Sequence, residues 1–151
     1  MTETETAHAG LITTLQNDAG VLAWLATHNL GAAFTVLDGT RAVVDIPPEQ
    51  RPALVLAAGA SVHQAPTLGY DEQEQEEGVA IGFVWDEQDR TKAIQQKRQL
   101  KDLIVKALLA NARLGGAVSY ARVQESYTDN ETTHPVHAIN FLILCTYSVQ
   151  R

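Results

Sequence analysis

His134 and His137, three residues apart and downstream of Glu131, form the one closely spaced pair of imidazoles in this chain. A zinc site needs three or four convergent ligands. His8, His28 and His63 are isolated, and the single cysteine, Cys145, lies in the apolar run FLILCTY. The pair therefore reads as two loop histidines, and the cysteine as a buried, inert thiol that acts as a small hydrophobe. Carboxylates are most concentrated in DEQEQEE, which contains Asp71, Glu72, Glu74, Glu76 and Glu77. Nothing in that run marks one acid as desolvated, so it reads as an exposed stretch rather than an acid/base pair. Ser61, Ser119 and Ser126 stand outside any nucleophile-elbow pattern, and neither phosphate-cradling glycine loop, GxxxxGK[ST] or GxGxxG, occurs. The residues predict no catalytic group, no metal and no cofactor, hence a protein that is not an enzyme.

The positioning elements are clearer than the chemistry. From Thr6 to His28, Leu11, Leu15, Val21, Leu22, Trp24 and Leu25 recur near helical spacing, weakened by Gly10 and Gly20. Asp18 is placed to cap a second short helix there. Residues 30–60 carry strand and turn signals: a strand over 32–37, an Asp38-Gly39 turn, an extended piece over 42–45, a Pro47-Pro48 break and a strand over 53–58. Val79, Ile81, Phe83 and Trp85 alternate as a half-buried strand does, and that strand is expected to begin as early as Glu74. Arg90 to Asn111 is the strongest helix, with Ile94, Leu100, Leu103, Ile104, Ala107 and Leu108 on one stripe and Gly115-Gly116 as its stop. Two strands, over 117–127 and 137–149, close the chain around a polar hairpin loop. This order predicts an α+β fold, a mostly antiparallel sheet with helices packed on one face, formed as one domain over residues 1–151.

At 151 residues the chain is long enough for one substantial core. Its 45% hydrophobic content includes no run approaching a membrane span, and MTETETAHAG lacks the basic start of a secretory signal. A net charge of −7 argues against general nucleic-acid binding, which needs a basic surface. The charge is uneven, however. Five acids fall within residues 71–77, whereas seven of the eleven basic residues fall between Arg90 and Arg113, Lys97, Arg98 and Lys101 among them. One reading is two merely solvated faces. The other is a subunit interface, in which Lys97, Arg98 and Lys101 of one copy meet Asp71, Glu72, Glu74, Glu76 and Glu77 of the next.

The segment LGAAFTVLDGTRAVVDIPPEQRPALVLAAG, followed by GVAIGFVW, a helix and INFLILCTYSV, resembles the tail terminator proteins of long-tailed bacteriophages, the lambda-type minor tail proteins. The features that carry it are Gly31 with Phe34, Asp38-Gly39 and the Arg51-Pro52-Ala53-Leu54 strand entry, in that order. The resemblance implies a single sheet with helices on one side, and a structural virion protein, made in the host cytoplasm and located in the tail at its head-proximal end. It implies a homohexameric ring that caps the tail tube, ends tube polymerisation and joins the tube protein to a head-side connector or neck protein. DNA would pass through the lumen without specific binding, and no membrane is involved. Another phage neck or tail-completion protein is the nearest alternative, and a small-molecule-binding or enzymatic α+β domain a more remote one.

Overall fold

A computed structural model describes residues 2–39, 45–63, 72–128 and 133–150. The first helix, α1 (Glu3–Gln16), opens with a capping box: the Thr2 hydroxyl accepts the Glu5 N–H, and the Glu5 carboxylate accepts the Thr2 N–H at 2.7 Å. That backbone N–H and the Thr2 hydroxyl hold the Glu5 carboxyl below its ordinary pKa. Ala7, Leu11 and Leu15 recur every fourth residue and are buried. Gly10 interrupts no packing; a Cβ there would lie 2.6 Å from the Ala117 methyl, so the glycine permits close approach of α1 to the turn after the last helix. The chain restarts at Asp18, whose carboxylate accepts the Val21 N–H at 2.9 Å and caps α2 (Ala19–Thr27) as its sequence position predicts.

The third helix, α3 (Arg90–Ala110), is capped by Asp89, which accepts the N–H groups of Thr91 and Lys92. It buries Ala93, Gln96, Leu100, Ile104, Ala107 and Leu108 at helical spacing. Two details correct the sequence expectation. Ile94 lies off the buried stripe and is 40% exposed. The helix ends at Ala110 with Asn111 as cap, and Gly115 and Gly116 belong to a separate 3-10 turn, Leu114–Gly116.

Five strands form one sheet in the order β1-β2-β3-β5-β4, built from β1 (Thr35–Asp38), β2 (Ala53–His63), β3 (Glu72–Asp86), β4 (Tyr120–Thr128) and β5 (Val136–Gln150). All pairs are antiparallel except β1 with β2. The fold is therefore the expected α+β arrangement, with one parallel edge. Gly39, at φ 90°, leads the chain away from β1 while its N–H still bonds the Leu56 carbonyl at 2.8 Å. The extended piece expected over 42–45 falls outside the described residues except for Asp45. The strand expected to begin as early as Glu74 begins at Glu72, so the acidic stretch is, from Glu72 onward, the first part of β3; Asp71 lies outside the described residues.

Strand alternation sorts the core. Leu54 and Leu56 of β2, Val79, Ile81, Phe83 and Trp85 of β3, and Ile139, Phe141, Ile143, Cys145 and Tyr147 of β5 share one face and pack with all three helices. The rings of Trp24 and Trp85 meet edge to face at 5.2 Å, as do Phe34 and Phe83 at 5.1 Å. On the opposite face, Ile46 covers Ala53, Val84 and Ala138 in a second, smaller cluster.

Candidate functional site

The residues that first attract chemical interest are engaged with one another. His137 is fully buried; its Nε2 lies 3.0 Å from His134 Nδ1 and 3.1 Å from the Glu87 carbonyl oxygen. Among the described residues, no group of three or more His, Cys, Asp or Glu side chains converges as a metal cluster. Burial, reinforced by the nearby Glu77 charge, pushes the Cys145 thiol up to about 12, so it is not a thiolate near neutrality. No described helix is long and apolar enough to cross a membrane.

The candidate surface is a groove of 490 Å³ between α3 and the edge strand β4. Ile94, Lys97, Arg98 and Lys101 line one side, Ser126, Tyr127 and Thr128 the other, and Ile139 the floor. Arg98 and Lys101 are exposed, while Lys97 is only 5% exposed, its position falling on the buried stripe of α3. Ile94 and Tyr127, the latter 55% exposed, add large apolar surface beside the charges. Guanidinium and ammonium groups around an apolar floor suit a carboxylate-bearing partner that also offers apolar contact.

The acidic residues lie elsewhere. Glu72, Glu74 and Glu76 pair with Gln150, Ser148 and Thr146, whereas the groove floor is Ile139. The separation is seven to eleven residues of β5, or about 23–36 Å. The structure thus brings Lys97, Arg98 and Lys101 together but does not bring Glu72, Glu74, Glu76 or Glu77 to them. Helix α1 adds the exposed acids Glu3 and Glu5 to the acidic end, since Thr4 Oγ1 lies 2.8 Å from the Tyr147 hydroxyl.

Glu77 is not part of an exposed run. It is 2% exposed, and both carboxylate oxygens are engaged, one 2.9 Å from His8 Nε2 and the other accepting the Tyr147 hydroxyl proton at 2.7 Å. With its proton so directed, the phenol oxygen accepts from Gln75 Nε2 at 2.9 Å and from the Thr4 hydroxyl. Burial, opposed by the Thr4 hydrogen bond and reinforced by the neighbouring Glu77 carboxylate, pushes the Tyr147 phenol up to about 12. A signal for this network was present in the sequence: Gln75 and Glu77 share the parity of Val79, Ile81, Phe83 and Trp85. Ile94 and Tyr127 gave no comparable sign of exposure.

No protein-family model matches the chain, and no curated protein does. Its course is similar to those of two solved chains. One belongs to the virion of a native gene transfer agent particle, with 13% identity, 95% of this chain and 93% of that one covered, and a TM-score of 0.47. The other shows 14% identity over 95% of this chain and 94% of its own, with a TM-score of 0.48. Likenesses this slight carry no function.

Proposed function

We propose that this chain is a structural virion protein, a tail terminator whose copies form a homohexameric ring at the head-proximal end of a phage-type tail. In this reading the ring caps the tail tube, ends its polymerisation and presents a joining surface to a head-side connector or neck protein. The chain acts by shape and contact, not as an enzyme, and needs no cofactor. The observation that carries the reading is architectural. The element order on which the resemblance to tail terminators rests is realised as one five-stranded sheet with all three helices on one face, the arrangement that resemblance implies. The net charge of −7 suits a lumen through which DNA slides without adhering.

The test is polymerisation of the cognate tail tube protein with and without this chain, followed by electron microscopy. Added at substoichiometric amounts, the chain should shorten the tubes and sit as a ring at one end only. Tubes of unchanged length with bare ends would overturn the reading.

A further inference from the structure

We infer that the α3–β4 groove seats the acidic end of a second copy, so that neighbouring copies join head to tail. The inference rests on the ring reading and names the contact on which a ring would close. Three observations carry it. Exposed Arg98 and Lys101, with buried Lys97 beside them, gather around exposed Ile94 and Tyr127, a cationic groove with apolar anchors. The opposite end of the same sheet carries the exposed acids Glu3 and Glu5 on α1, half-buried Glu76, and acidic positions 72 and 74 on β3. The two surfaces stand about 23–36 Å apart along β5, so one copy cannot satisfy its own groove. A contact between two different patches is heterologous, and heterologous contacts close into rings when the rotation permits. A groove-to-groove dimer is disfavoured by the same charges, because it would place cations against cations.

Charge exchange between copies tests this directly. One variant carries Arg98→Glu and Lys101→Glu; the other carries Glu3→Lys, Glu74→Lys and Glu76→Lys. Lys97 is left alone because its side chain is covered. Light scattering after size exclusion at about 50 mM salt, where screening is weak, should show each variant's assembly weakened on the order of tenfold or more, with circular dichroism unchanged. Mixing the two should restore assembly, because each acidic groove then faces a basic end and each basic groove an acidic one. Wild-type assembly should weaken as salt rises.

If the wild-type chain forms rings and both variants form them equally well, the inference falls while the ring reading stands. If each variant is impaired but the mixture is not restored, the groove belongs to another partner and the inference also falls. A wild-type chain that remains monomeric up to millimolar concentration overturns the inference, whereas the ring reading falls only if tubes also stay uncapped.

Discussion

The two ends of the sheet are each fastened to a helix by a polar chain, yet one centres on a buried carboxylate with both oxygens engaged and the other runs out to a well-exposed ammonium. At the acidic end, Glu77 joins β3 to α1 through His8 and to β5 through Tyr147, whose oxygen also serves Gln75 and Thr4. At the groove end, Trp85 Nε1 donates to Gln96 at 2.8 Å, and Gln96 passes a hydrogen bond of 2.8 Å to the Glu87 carboxylate. Glu87 also accepts the Asp89 N–H and stands 3.6 Å from the Lys92 ammonium near the surface. The difference separates two tasks. Glu77, with both oxygens satisfied internally, holds α1 in place and leaves contact at that end to the exposed Glu3 and Glu5 and half-buried Glu76, while the groove end keeps cations and apolar surface exposed together.

The largest expected effect is at the inner anchor of the open chain. Trp85→Ala removes a fully buried ring and leaves the Gln96 carbonyl without its donor. A loss of about 3–5 kcal/mol in urea unfolding is expected. A loss below about 1 kcal/mol would mean that the indole is not the joint between α3 and the sheet.

Breaking the closed chain should cost less but spread further. Tyr147→Phe deprives the buried Glu77 of a donor and Gln75 of an acceptor, at about 1–3 kcal/mol. Cys145 reports on the same place. With its thiol pushed up to about 12, it should resist alkylation at pH 8 in the native protein and react faster in Tyr147→Phe as that end opens more often. Equal alkylation rates in both proteins would show that the network does not hold that end shut.

Parts of this arrangement were legible in the sequence because they are local. The Asp18 cap, the α3 stripe and the alternation of β3 and β5 depend on neighbours within a few residues, and each appears in the structure. What escaped is non-local. The parallel pairing of β1 with β2 depends on where the chain between them travels, which no periodicity encodes. Ile94 matched a helical stripe, but that stripe is set by where the sheet ends beneath α3, and β4 is its edge. The acidic run was identified by composition, and composition hid the parity that sends Glu77 inward. The clustering of Lys97, Arg98 and Lys101 followed from their helical spacing; the distance separating them from Glu76 required the strand register.

Acid titration sharpens the comparison at smaller amplitude. Burial works against the Glu87 charge, but hydrogen bonds from the Asp89 N–H and Gln96, together with the Lys92 ammonium, hold its carboxyl below the ordinary value of 4.5. A carboxylate depressed on folding stabilises the protein fully above its unfolded pKa and loses that contribution as pH falls through the lower folded value. Glu87→Gln should therefore flatten the stability profile below about pH 4.5 and shift stability at pH 7 by no more than about 1 kcal/mol. An unchanged acid limb would place the acid sensitivity in other carboxylates.

The smallest expected effect on the fold comes from the groove charges. Arg98 and Lys101 are exposed, and exposed charges contribute little to the stability of a monomer because water and salt already screen them. Arg98→Glu combined with Lys101→Glu should move the unfolding free energy of the dilute monomer by less than about 0.5 kcal/mol. The same pair should have its full effect only where copies meet, so stability and assembly would respond independently. A loss of monomer stability comparable to that of Tyr147→Phe would erase the distinction between the two ends, because the groove cations would then be holding α3 to the sheet rather than standing ready for a partner.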